Sequence, residues 1–182
     1  MLTLGVISDT HIPDRARRLE RLALDVFQSA GVRAILHAGD ISAPRVIAQL
    51  EEIAPVHAVR GNRDWVALSH LPYRSLLTFD GFKIGLTHGH GRWWNYVVDR
   101  VNYIAYGYRL EMFQPRLMET FPDAQVIVFG HTHRPLVHWV GKVLLFNPGS
   151  PHFPDIQTIA PSVGLLHLYS GGEINADIVF LE

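Results

Sequence analysis

The chain has 182 residues, of which 48% are apolar and 18% charged, with a formal net charge of -1; this predicts one soluble globular domain over 1–182 with a sizeable core. The near-neutral balance and the absence of Lys/Arg blocks argue against bulk electrostatic binding of nucleic acid, and no apolar run approaches the roughly 20 residues of a membrane span. There is no cysteine, so disulfides and thiolate metal sites are excluded and any metal must be held by His, Asp and Asn.

The first strand is expected at 2–7. It lacks the basic and long apolar regions of a signal peptide, which makes cytoplasmic residence the expectation. This strand ends in Ser8-Asp9-Thr10-His11. Leu19, Leu22, Ala23, Val26 and Phe27 recur at helical spacing, predicting a helix over 17–30 that stops at Gly31. A second strand, 32–37, runs into Ala38-Gly39-Asp40, after which Ser42 and Pro44 open a helix reaching about 53. A third strand, 55–59, ends in Arg60-Gly61-Asn62-Arg63-Asp64. Three successive strands thus finish in Gly and Asp/Asn bursts, and in α/β sheets ligands bind beyond the carboxyl ends of strands.

The pattern then changes. Strands at 75–79 and 82–86 flank an Asp80-Gly81 turn and read as a hairpin, ending in Thr87-His88-Gly89-His90-Gly91. The stretch 93–120 is apolar and aromatic and reads as one or two helices, with Pro115 forcing a kink or break. Val126 to Phe129 forms an apolar strand that breaks at Gly130 and delivers His131-Thr132-His133. On an extended backbone these two histidines would point the same way, about 6 to 7 Å apart at their bases. Hairpins follow at 136–140 with 143–146 and at 163–169 with 173–180. Between them lie Asn147-Pro148-Gly149-Ser150 and a loop-like 151–161. βαβ units followed by hairpins imply two mixed sheets packed face to face with helices outside.

Asp9-x-His11, Gly39-Asp40, Gly61-Asn62-x-Asp64, His88-Gly89-His90 and Gly130-His131-x-His133, in that order, resemble the calcineurin-like metallophosphoesterase superfamily over most of the chain. Length and Asn147-Pro148-Gly149-Ser150 resemble its small prokaryotic phosphodiesterase branch. The resemblance implies an α/β/β/α sandwich and a dinuclear metal centre. Asp9, His11, Asp40 and His133 would hold one ion, and Asp40, Asn62, His88 and His131 the other, with Asp40 bridging. Oxygen and imidazole ligands suit Mn²⁺ first, with Fe, Zn²⁺ or Ni²⁺ as alternatives. The chemistry this implies is attack on phosphorus by a metal-bridging hydroxide while both ions neutralise developing charge.

The expected activity is that of a metal-dependent phosphodiesterase acting on a small phosphoester. A phosphomonoesterase with the same site and a protein-binding scaffold of the same fold are the alternatives. Two residues carry further expectations. Many relatives place a proton-donating histidine after the Asn ligand; here Arg63 stands there and would stabilise charge instead, its alternative being an outward pair with Asp64 or Asp155. His90 would touch the substrate phosphate or orient His88. Where relatives carry a basic residue beyond Asn-Pro-Gly-Ser, this chain has Asp155, preceded by His152 and Phe153. Trp93, Trp94 and Tyr96 read as helix packing, with a pocket wall as the alternative. His37, His57, His70, His138 and His167 belong to no motif and are left out of the site.

Overall fold

A computed structural model describes residues 1–91, 109–152 and 159–181. The aromatic positions Trp93, Trp94 and Tyr96, together with Phe153 and Asp155, lie outside the described residues. In chain order the elements are β1 (Leu2–Ile7), α1 (Arg21–Ser29), β2 (Ala34–His37), α2 (Pro44–Glu51), β3 (Val56–Ala58), β4 (Arg74–Phe79), β5 (Phe82–Thr87), a 3₁₀ turn (Leu110–Met112), α3 (Gln114–Thr120), β6 (Val126–Val128), β7 (Leu136–Val140), β8 (Val143–Asn147), β9 (Ser162–Leu168) and β10 (Ile174–Phe180). They form two five-stranded mixed sheets, ordered β10-β9-β1-β2-β3 and β4-β5-β6-β8-β7. The strands β1, β2 and β3 run parallel, as do β5, β6 and β8, so their carboxyl ends collect at one edge of each sheet.

The period of two along each strand sorts the core into layers. Leu4, Val6, Leu36, Ile84, Leu86, Val126, Val128, Leu144 and Phe146 meet between the sheets. The alternate residues Ile7 and Ile35 face outward onto Ala23 and Phe27 of α1 and Val46 and Leu50 of α2. On the other side, Ile127, Phe129 and Leu145 pack against Phe113, Leu117 and Phe121. This is the expected four-layer α/β/β/α sandwich of two mixed sheets flanked by helices. Fully burying one such Leu, Ile or Phe stabilises the fold by about 1.5–3 kcal/mol.

Local details depart from expectation for physical reasons. Helix α1 starts at Arg21 rather than 17; Leu19 keeps the apolar period but is buried from the lead-in loop. In the described part of the stretch 93–120 the break falls just before Pro115: the 3₁₀ turn ends at Met112 and α3 begins at Gln114, with Pro115 in its first turn, where a missing N–H is harmless; residues 93–108 of that stretch lie outside the described residues. Ser42 caps nothing: its φ is 69° and α2 starts after Ala43. The Asp80-Gly81 turn is as expected, with φ of 47° and 86° at its two residues, the positive pair that a tight hairpin with this strand twist requires.

Candidate metal centre

All seven residues expected to bind metal sit at the collected strand ends. Asp9 and His11 follow β1, Asp40 follows β2, Asn62 follows β3, His88 follows β5, and His131 and His133 follow β6. Asp9, His11 and His88 are almost fully buried, and Asp40 nearly so. The backbone at the site is unlike anything the sequence suggested. Asp9 (φ 55°), His11 (47°), Asp40 (54°), His131 (69°) and His133 (55°) all adopt left-handed conformations. The extended geometry expected for His131-Thr132-His133 is therefore wrong: β6 ends at Val128, and the Thr132 amide turns back to the Gly130 carbonyl at 2.8 Å. Such conformations cost on the order of 1–3 kcal/mol each and persist where the surroundings over-determine them, typically at functional sites.

Those surroundings are hydrogen bonds and close backbone approaches. The His131 amide donates to both Asp9 oxygens, at 3.2 and 3.0 Å. The Arg63 amide donates to Asp40 Oδ1 at 2.9 Å. A Cβ at Gly61 would lie 2.1 Å from Asp40 Oδ1, and one at Gly130 would lie 2.8 Å from Asp9 Oδ2. Only glycine lets these loops come so near the carboxylates.

The donor atoms converge. One oxygen of Asp40 faces His11 Nε2 at 3.7 Å and the other faces His88 Nε2 at 3.5 Å. Asp9 Oδ1 is 3.3 Å from His133 Nε2 and 3.9 Å from His11 Nε2. Two groups, Asp9–His11–His133 and Asp9–Asp40–His88, each bring their ligand atoms within 4.8 Å of one another. His11 Nε2 and His133 Nε2 are 3.1 Å apart. His88 Nδ1 donates to the Ala38 carbonyl at 2.8 Å, which in the neutral ring leaves the Nε2 lone pair aimed at Asn62 Oδ1, 3.0 Å away. Acceptors facing acceptors in a buried site need a proton or a cation between them. The set fits hard or borderline divalent cations with N and O ligands.

Electrostatics follow from burial. Desolvation pushes Asp40 up to about 6, helped by the Asp9 charge and opposed by His88. Desolvation also acts on Asp9, but His133, His88 and His11 outweigh it and hold Asp9 below the ordinary carboxylate value. Against its own desolvation, His88 is raised by Asp40 and Asp9. Burial lowers His11 to about 3, with the His133 and Arg15 charges adding to it and Asp9 opposing. Burial and then the charges of His88, His90 and His133 drive His131 well below its ordinary value. His11 and His131 are therefore neutral at pH 7, the form that binds metal.

The two residues expected to assist catalysis make different contacts. His90 is buried, with its ring 5.2 Å from His88 and 6.2 Å from both His131 and Tyr73; burial, then His88 and Arg116, lowers its pKa to about 4. Arg63 points its Nη1 to Asp14 Oδ2 at 3.2 Å. It does not pair with Asp64, because both Asp64 oxygens are taken by amides: those of Ile41 (3.0 and 3.2 Å), Ser42 (2.7 Å) and Gly61 (2.8 Å).

Asp64 is one of several residues whose part was not foreseen. It ties the Asp40 loop to the Asn62 loop. Asn147 Nδ2 donates to the Gly130 carbonyl at 2.9 Å and to Thr132 Oγ1 at 3.1 Å, and Ser150 Oγ donates to the Asp9 carbonyl at 2.9 Å. Trp65 Nε1 donates to the Asn62 carbonyl. The Asn147-Pro148-Gly149-Ser150 stretch thus fastens two ligand-bearing loops; its place after a strand and its family resemblance singled it out in the sequence, but not this role. Of the histidines left out, His37 is buried with Nε2 3.3 Å from Thr10 Oγ1, and His167 Nε2 lies 3.2 Å from Asp177.

A family model described as the calcineurin-like phosphoesterase superfamily domain matches residues 2–171. A probable metallophosphoesterase of Methanothermobacter thermautotrophicus is 35% identical over 178 residues, covering 98% of this chain and 92% of that protein. The phosphodiesterase YfcE of Escherichia coli is 28% identical over 176 residues, covering 85% of this chain and 82% of that protein. Among solved structures, wild-type Vps29 complexed with Zn²⁺, from Entamoeba histolytica, superposes with a TM-score of 0.73 at 24% identity, covering 98% of this chain and 99% of that one. That likeness concerns the fold. No described helix is long and apolar enough to cross a membrane.

Proposed function

The chain belongs to the calcineurin-like phosphoesterase superfamily, and from that premise we propose that it is a metal-dependent phosphodiesterase acting on a small phosphoester at a dinuclear centre. The observation that carries the reading is the split of Asp40, one oxygen toward His11 and the other toward His88. A carboxylate so placed can serve two ions at once. Asp9, His11, Asp40 and His133 would hold one, and Asp40, Asn62, His88 and His131 the other; Mn²⁺ suits the donors, as do Fe, Zn²⁺ and Ni²⁺. Two such ions, when bound, supply Lewis acidity toward phosphoryl oxygens and a hydroxide nucleophile from water at neutral pH.

The protein's own groups do the rest. The Ala38 carbonyl fixes the tautomer of His88 and presents its Nε2 to the site. The amide bonds from Arg63 and His131 hold the Asp40 and Asp9 carboxylates in place. His90, neutral at pH 7, offers an N–H to a substrate oxygen, not a labile proton to a leaving group. Arg63 offers a permanent cation at the rim, suited to a phosphate oxygen. With no strong acid placed for the leaving group among the described residues, diesters with phenolate-type leaving groups are the expected substrates.

The scaffold alternative draws only on fold likeness to Vps29, and the intact donor set argues against it. Metal analysis of the purified protein reloaded with Mn²⁺, followed by parallel assay of bis-aryl and mono-aryl phosphates, decides among the readings. Metal binding with preferred diester turnover is expected. Preferred monoester turnover would make it a phosphatase, and absence of both metal and turnover would leave the scaffold.

A further inference from the structure

A second concavity lies beside the metal-ligand loops. It has a volume of about 320 Å³ and is lined by Arg15, Glu20, Leu22, Pro151, His152 and Pro161. His152 is only 6% exposed, and its Nε2 is buried without a hydrogen-bond partner. Burial, against the Glu20 charge and with that of Arg15, keeps its pKa below the ordinary value, so the ring is neutral near pH 7. An orphaned buried imidazole nitrogen is costly unless something polar reaches it. Here it lines a cavity.

The location ties this cavity to the reaction site. The Arg15 amide donates to the His11 carbonyl at 2.8 Å. The His152 amide donates to Ser150 Oγ at 3.4 Å, and that hydroxyl in turn donates to the Asp9 carbonyl. One wall is therefore continuous with the loop carrying Asp9 and His11, and the other with the Asn147–Ser150 segment.

The lining chooses a ligand class. Arg15 and Glu20 bring opposite charges, which favours neither a bare anion nor a bare cation. A guanidinium donor, a carboxylate acceptor and a neutral imidazole suit a neutral group whose edge alternates donors and acceptors. Two prolines and Leu22 supply apolar faces for a flat ring. The volume is at the small end of the roughly 300–1,000 Å³ of ligand pockets, enough for one ring system and not for an extended chain.

We propose that the cavity bounded by Arg15, Glu20 and His152 is a subsite for the nucleobase of a nucleoside-bearing phosphodiester. The inference rests on the phosphodiesterase reading and names the substrate class for it. Bound there, the base would anchor one ester arm on the Asp9–His11 side of the metal-ligand cluster, leaving the other arm as the leaving group.

The test separates the two ideas. Uridine, adenosine and, as the base-free control, ribose are titrated into the metal-free full chain, with binding read by calorimetry and by saturation transfer to base protons. Both nucleosides are expected to bind and ribose is not. Glu20→Gln and His152→Phe should each weaken nucleoside binding about tenfold or more, the loss of one charge-assisted or buried hydrogen bond. Glu20 is exposed, so that variant keeps the test valid if His152→Phe misfolds, as circular dichroism would reveal. Ribose binding as tightly as uridine, no saturable nucleoside binding, or wild-type affinity in Glu20→Gln each overturns the subsite. In parallel, Mn²⁺-loaded wild type is assayed on a base-free bis-aryl phosphate. Turnover there without nucleoside binding rejects the subsite alone; nucleoside binding without turnover rejects the phosphodiesterase reading and overturns the substrate subsite with it, leaving a cavity that binds a base.

Discussion

The Arg63 guanidinium sits 3.2 Å from the Asp14 carboxylate, both side chains half exposed, while the amide of the same residue donates to Asp40. The backbone of Arg63 thus serves the metal-ligand cluster and its side chain is held at the rim by an acid from the His11 loop. An exposed pair of this kind is worth about 0–1 kcal/mol by itself, too little to hold the guanidinium against a phosphate. Arg63→Ala is expected to lower turnover of the metal-loaded enzyme about 30- to 1000-fold, the 2–4 kcal/mol of a lost transition-state contact. Arg63→Lys should recover part of it, lacking the planar fork. Turnover of Arg63→Ala within about threefold of wild type, with chemistry rate-limiting, would reduce the side chain to its pair with Asp14.

The metals give a second prediction. Because Asp40 offers one oxygen toward each half of the cluster, Asp40→Asn should lower the content of both ions after Mn²⁺ reloading. Among the described residues His133 belongs to the converging group of Asp9 and His11, so His133→Ala should leave close to one ion per chain. Equal metal loss in the two variants, read by elemental analysis, would contradict the bridging role of Asp40.

The sequence revealed the order of strands and the residues at their ends, because apolar period and Gly/Asp/His bursts are local signals. It placed all seven donors at one edge, through motifs and family resemblance. It did not reveal how those donors face one another. The left-handed backbone at Asp9, Asp40 and His131 runs against the preference of each residue taken singly, and it is imposed by contacts from distant loops. Gly61 meeting Asp40 and Gly130 meeting Asp9 are such contacts. The same reason hid Asp64, which reads as a turn residue locally but is buried and holds two other loops. Pro115 signalled a boundary in its apolar run, without saying on which side of it the next helix lies.

Asp64 provides a third prediction, about stability. Its carboxylate, 2% exposed, accepts from the amides of Ile41, Ser42 and Gly61. Removing it leaves up to three N–H groups without their acceptor, at about 1–3 kcal/mol for each that stays dry. Asp64→Ala should therefore destabilise the metal-free protein by about 3 kcal/mol or more by denaturant melts, and Asp64→Asn by less, since the amide keeps one acceptor oxygen. Unchanged midpoints in Asp64→Ala would mean that water replaces the carboxylate and the loops hold without it.

A fourth prediction concerns acid. In the metal-free protein, burial depresses His11 to about 3 and His37 and His90 to about 4 each, whereas in the unfolded chain all three titrate near 6.5. Between those values the unfolded chain binds protons that the folded one refuses. Their contribution to stability is complete above about 6.5 and is lost as pH falls toward 4. Asp40, raised to about 6, opposes this below that pH, because its folded form takes up a proton before the unfolded form does. His88 is raised and acts mainly above 6.5, where its deprotonation removes stability as pH rises. His131 and His152, which burial also lowers, act in the same direction, and these five groups against Asp40 leave a net loss on acidification, so the melting temperature of the chelated protein should fall between pH 6.5 and 4.5. His37 isolates one contribution, since it lies under Thr10 and belongs to neither group of converging ligand atoms. In His37→Gln the slope of unfolding free energy against pH should flatten by about 1.4 kcal/mol per pH unit, the weight of one proton, whatever the substitution costs in absolute stability. A slope identical to wild type would show that His37 is charged in the folded protein, and with it that burial fails to hold these imidazoles neutral.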